Sequence, residues 1–295
     1  MNTIWNDIKS NLKKEGNFTK LLYINIAIFL LFKTITVFGF LFNINDTNNF
    51  IESYLSLPSN LSDLVKKPWT IITYMFVHKD FFHILLNMVL FHFGAKLFLQ
   101  YFNGKQLIST YILGGIFGGL LYIIAFNSFP VFSNVVFNSK VMGASASVLA
   151  IFIAIASYTP NIHISFPFIG NIKLKHIAIT LVVLDFLSIS PENPGGPISH
   201  LGGVLYGFIF IILLKKGTDL SINFHNLLSY FNFSKKPTLT RVHKKRRSRK
   251  TDDDNYRNEK ANRQEKINFI LEKISKSGYD SLTKEEKELL FKESK

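Results

Sequence analysis

The feature that most limits what this chain can fold into is a series of six apolar runs, at residues 21–42, 69–99, 107–126, 143–158, 174–189 and 198–214. A helix of about 20 apolar residues, rising ~1.5 Å per residue, crosses a hydrocarbon layer of roughly 30 Å. Lipid offers no partner to backbone N–H and C=O groups, so such runs must close their hydrogen bonds internally as helices. The first run follows Lys9, Lys13, Lys14 and Lys20 and has the look of a signal peptide. Its length, and the lack of a small-x-small cleavage site behind it, favour a retained helix.

Charge divides the chain in two. Of the 34 Lys and Arg, 21 lie in residues 215–295, with 12 of the 20 Asp and Glu, so most of the +14 net charge sits in a tail of 81 residues. The absence of cysteine excludes disulfides, thiolate catalysis, Cys-ligated zinc and iron–sulfur clusters. Basic residues mark the cytoplasmic side of a membrane protein. Lys96 and Lys105 follow the second run, Lys173 and Lys175 the fourth, and the tail the sixth. Both termini are therefore expected in the cytoplasm, and the absence of a targeting presequence points to a bacterial inner membrane.

The run Lys244, Lys245, Arg246, Arg247, Arg249 and Lys250 invites a nucleic-acid reading. Attraction to anionic lipid and the positive-inside bias explain it more simply, and no nucleic-acid partner is expected. After Asp252–Asp254 the charges alternate, and Ile267, Ile270, Leu271 and Ile274 recur at the spacing of one helical face up to Gly278. Thr283 and Glu286 then form a capping-box pattern ahead of Leu289, Leu290 and Phe291. The expected organisation is an N-terminal segment 1–20, a membrane domain 21–214, a basic linker 215–255 and a helical hairpin 256–295.

Inside the apolar runs, small residues recur every four positions: Gly114 with Gly118 and Gly115 with Gly119; Ala146, Ala150 and Ala154; Ser199, Gly203 and Gly207. Such stripes let helix backbones approach closely where lipid gives no hydrophobic drive. On their own they need no more than a packed bundle.

Polar groups in these runs are costly and point to chemistry. Four stand out: His83, Asn87, Ser145 and His200. His83 and Asn87 share a helix face, being four apart. Ser145 opens the fourth run after Gly143, and His200 opens the sixth after Pro194, Gly195, Gly196 and Pro197. Runs two, four and six cross in the same direction, so all four residues fall toward the extracytoplasmic side. A serine alone in a span is usually back-bonded to its own helix, and His83 alone would more often be a structural histidine. Together they make a different case, because a serine becomes a nucleophile when a base such as His200 takes its proton. The free N–H groups opening the fourth helix, with His83 and Asn87, would supply an oxyanion hole.

His78 and His92 read as structural histidines, and Asp185 as a hydrogen-bonded structural acid with no evident partner. The histidines lack His-Glu-x-x-His spacing, so neither metal nor cofactor is expected.

These motifs resemble the rhomboid intramembrane serine proteases. The resemblance runs from Pro68-Trp69 through His78, His83 and Asn87 to Gly143-x-Ser145 and His200-x2-Gly203-x3-Gly207, over residues 20–214. It implies an all-α, polytopic bundle of six transmembrane helices. It also implies a Ser145–His200 dyad without a third acid, oxyanion support from His83, Asn87 and the Ser145 amide, and helix packing at Gly143, Gly203 and Gly207. The implied substrates are transmembrane proteins cut near the extracytoplasmic side. Three positions depart from the family pattern: Ala146 where many members have Gly, Leu149 where an aromatic often stacks on the histidine, and Thr70 where Arg follows Trp. The alternative is a rhomboid-like protein without activity that binds transmembrane helices.

Overall fold

A computed structural model describes residues 16–44, 47–166, 170–230 and 249–293. The N-terminal lysines Lys9, Lys13 and Lys14 and most of the basic run 244–250 lie outside these residues. The chain divides into two compact units, residues 1–233 and 234–295.

In the first unit the elements are α1 (Gly16–Leu41), α2 (Thr47–Leu55), β1 (Leu57–Pro58), α3 (Leu61–Lys66), α4 (Thr70–Thr73), α5 (Phe81–Phe98) and α6 (Gly104–Ser128). They are followed by β2 (Lys140–Val141), α7 (Ser145–Tyr158), β3 (His163–Phe166), β4 (Gly170–Lys173), α8 (Leu174–Leu187), α9 (Gly195–Lys215) and α10 (Leu220–Tyr230). Four of these, α1, α5, α6 and α9, are long and apolar enough to cross a membrane. The expectation of six crossing helices is thus met in length and composition by four. The helices α7 and α8 have 14 residues each, about 21 Å, which falls short of a hydrocarbon layer of roughly 30 Å.

The short α7 is the centre of the bundle. Every residue from Ala146 to Ala156 is buried, so this helix is surrounded by protein and has no need to match a lipid thickness. Small residues make the enclosure possible. A Cβ on Gly114 or Gly118 of α6 would run into Ala150 or Ala146, and one on Gly203 or Gly207 of α9 would run into the backbone of Ala146 or Ala150. The pairings also give direction: 114 with 150 and 118 with 146 make α6 antiparallel to α7, whereas 203 with 146 and 207 with 150 make α9 parallel to it. Gly94 of α5 faces Ile151 and Phe152, and the helix starts meet at the other end, so α5 is parallel to α7 as well.

Helix starts follow local chemistry. Asn103 and Gln106 form a capping box at α6, and Asp80 caps α5 by accepting from the His83 N–H at 2.9 Å. Two small antiparallel pairs, which no pattern in the sequence announces, complete the unit: β1 with β2 and β3 with β4. The first ties the stretch before α4 to the one before α7, pairing Leu57 with Val141 and Pro58 with Lys140. That long first connection is further fastened by Trp69 Nε1 to the Tyr54 carbonyl, Thr73 Oγ1 to the Leu55 carbonyl and Lys67 Nζ to the Ser53 carbonyl, each at 2.8 Å. Thr70 is fully buried, its hydroxyl donating to the Lys67 carbonyl. Trp69, Thr73 and Lys67 therefore anchor the connection without arginine.

Helix α10 occupies part of the stretch expected as linker. The second unit holds α11 (Arg249–Ser277) and α12 (Lys284–Glu293). Gly278 takes a left-handed φ of 78° where α11 ends. Thr283 and Glu286 form the capping box: the Thr283 N–H donates to Glu286 Oε2 at 2.8 Å and the Glu286 N–H to Thr283 Oγ1 at 3.3 Å.

Candidate active site

Ser145 is the first residue of α7, and the turn before it is tightly held. Gly143 has φ 129°, a conformation side chains rarely adopt. Its N–H donates to the Tyr74 carbonyl at 2.9 Å. The next N–H, of Ala144, donates to His78 Nε2 at 3.3 Å. His78 is therefore buried and structural, and its contribution is specific, because its unprotonated Nε2 receives the chain one residue ahead of the serine. Ala144 brings no capping side chain to the start of α7, so among the described residues its opening N–H groups are uncapped, at the positive end of the helix dipole.

His83 lies across this turn. A Cβ on Gly143 would sit 2.7 Å from His83 Nε2 and 3.7 Å from Ser145 Oγ; the absent side chain is what lets imidazole and hydroxyl approach the same backbone. His78 and His83 meet edge to face at 5.2 Å. Asn87, one turn further along α5, is buried and donates one amide hydrogen to the His83 carbonyl at 2.8 Å. The other amide hydrogen remains available. Because Gly94 lies level with Ile151 and Phe152, counting back seven residues on each helix puts Asn87 level with Ala144 and Ser145.

His200 comes to the same place from α9. Gly203 packs on the backbone of Ala146, and His200, three residues before Gly203 on the same face, falls level with Gly143. Ser145 Oγ and His200 Nε2 are not joined by a hydrogen bond among the described residues. His200 Nδ1 is instead bonded to Asp185 Oδ1 of α8 at 2.8 Å, the two side chains being 23% and 20% exposed. This agrees with the expectation of a hydrogen-bonded Asp185 and supplies its partner, and it places a carboxyl group beside a histidine expected to have none. The pairing spans two helices and a proline-containing turn, so no sequence spacing announces it.

Sequence reasoning passed over Lys33, a lysine within α1, which donates to the Lys79 carbonyl at 3.0 Å just ahead of the Asp80 cap. Its position inside an apolar run was the available signal. Among the described residues no group of His, Asp and Glu is arranged to hold a metal ion.

Long apolar helices packed around a buried central helix are the architecture of an integral membrane protein, and that central helix opens on Ser145 with His83 across the turn before it. The chain belongs to the rhomboid family: the Rhomboid domain model matches residues 65–217, and members of that family are generally intramembrane serine proteases, some of them inactive. A second model, a family of unknown function (DUF6576), matches residues 250–295. No curated protein matches the chain.

Proposed function

We propose that the chain is an intramembrane serine endopeptidase that cleaves transmembrane helices near their extracytoplasmic end. The observation that carries this reading is the convergence of an uncapped helix start at Ser145, the His83 ring against Gly143, and the seating of α9 on Ala146 that sets His200 alongside.

In the proposed reaction Ser145 Oγ attacks the scissile carbonyl while His200 Nε2 takes the hydroxyl proton. The carbonyl electrons move onto oxygen, where the Ser145 N–H, His83 and the free Asn87 amide hydrogen stabilise the charge. Collapse breaks the C–N bond, and His200 returns the proton to the leaving amine. Water, deprotonated by the same imidazole, then hydrolyses the acyl-enzyme, giving the carboxylate product and free Ser145. No cofactor takes part. Six membrane-embedded helices, with the short α7 enclosed by protein and the short α8 matched by local thinning of the bilayer, both termini cytoplasmic and a bacterial inner-membrane location complete the reading.

Ser145→Ala and His200→Ala are each expected to abolish cleavage of a transmembrane reporter while the protein accumulates normally. Full cleavage by either variant sinks the proposal. The missing Ser145–His200 hydrogen bond favours a second reading, a helix-binding protein without activity. Absence of Ser145-dependent fluorophosphonate labelling, together with co-purification of transmembrane proteins, would establish it.

A further inference from the structure

We propose that Asp185 is a positioning residue for His200, fixing which ring nitrogen carries the proton and aiming the other at Ser145. This rests on the reading of Ser145 and His200 as nucleophile and base.

Three observations support it. The first is the 2.8 Å contact between Asp185 Oδ1 and His200 Nδ1. An Nδ1–H donating to that oxygen leaves Nε2 with its lone pair, the form a general base requires. The second is the lack of any other reason for the carboxyl group. Along α8 only Leu174 and Ala178 are buried, while Val183, Leu184, Phe186 and Leu187 around Asp185 are exposed. An aspartate on so apolar a helix is costly, and among the described residues its carboxyl group bonds to no side chain but this imidazole. The third is Leu149, buried and aliphatic one turn after Ser145, which has nothing with which to orient a ring. The contact between α8 and α9 is thus the polar feature that sets the His200 ring.

When Nε2 receives the serine proton, the ring becomes cationic and the carboxylate beside Nδ1 stabilises it. The proton stays on the imidazole until the amine leaves, as in other serine hydrolases with an Asp-His pair.

The bond could also serve only to hold the end of α8 against α9, and the experiment separates the two roles. Full-length protein reconstituted in liposomes is compared with Asp185→Asn, Asp185→Ala and Asp185→Glu for cleavage of a transmembrane reporter, fluorophosphonate labelling of Ser145 and thermal melting. Asp185→Asn and Asp185→Ala are expected to lower kcat on the order of 10²-fold with KM little changed, and to slow labelling in parallel. Asp185→Glu is expected to recover much of the loss. In histidine labelled with ¹⁵N, His200 is expected to carry its proton on Nδ1, and to lose that preference in Asp185→Asn. An Asp185→Asn enzyme with unchanged kcat, a wild-type His200 protonated on Nε2, or a loss confined to KM and melting temperature would each overturn the proposal. The tautomer measurement needs no turnover. A protein that neither labels nor cleaves therefore defeats the protease reading and still decides the role of Asp185.

Discussion

At the scale of single residues, the site depends on a side chain that is absent. Gly143 combines a left-handed φ with the closest approach of His83, so an alanine there meets backbone strain of about 1–3 kcal/mol and a collision with the imidazole. Gly143→Ala is expected to reduce fluorophosphonate labelling of Ser145 by more than about tenfold with only a modest fall in melting temperature. His83→Ala and Asn87→Ala are each expected to lower kcat by roughly 10²-fold, the size seen when one oxyanion donor is lost; steady-state cleavage kinetics check this. The departure at Ala146 is explained by its neighbours, since its methyl group points at Gly118 and its backbone meets Gly203. Two glycines on facing helices make room for one alanine next to the serine.

At the scale of elements, α7 and α9 are held together by backbone-to-backbone approach, and the same approach sets the level of His200 against Ser145. A valine at Gly203 must push α9 away from Ala146, so Gly203→Val is expected to lose cleavage and to destabilise the protein by about 1–3 kcal/mol, read as a fall in melting temperature in detergent. The first connection is fastened by its own carbonyls through Trp69, Thr73 and Lys67, which frees it from the Arg found after Trp in the family pattern. In the second unit Lys273 Nζ lies 2.9 Å from Glu286 Oε2. The Lys273 hydrogen bond, then the Thr283 N–H, holds the Glu286 carboxyl below the usual carboxylate range. The sign follows: a depressed folded-state value adds stability above the unfolded value and loses it as pH falls through the folded one. Amide protection factors in residues 279–293, corrected for the intrinsic pH dependence of exchange, are expected to fall below about pH 4.5 and to be unchanged between pH 6 and 8. The effect is modest because solvent screens the pair.

At the scale of the whole molecule, the proposed orientation with both termini cytoplasmic rests on the distribution of lysine and arginine, and the absence of cysteine gives a clean way to test it. Ser133→Cys, in the connection between α6 and β2, is expected to react with a membrane-impermeant maleimide on intact cells. Ser281→Cys, between α11 and α12, is expected to react only after permeabilisation. The opposite pattern would reverse the topology and put Ser145 on the cytoplasmic side.

The sequence by itself determined the apolar helices, the paired small residues and the polar groups His83, Asn87, Ser145 and His200, because the first two meet what lipid demands, the last depart from it, and all show in a linear pattern. The capping box at Thr283 and Glu286 was legible for a related reason: its partners lie three residues apart. Tertiary structure alone decided what depends on distant segments meeting. The pairing of β1 with β2, the acceptance of the Ala144 N–H by His78, and the pairing of Asp185 with His200 leave no periodic trace. The enclosure of α7 belongs with them, although the brevity of the run 143–158 already shows in the sequence. A helix enclosed by protein is released from the length that lipid imposes, and only packing reveals which helix is enclosed.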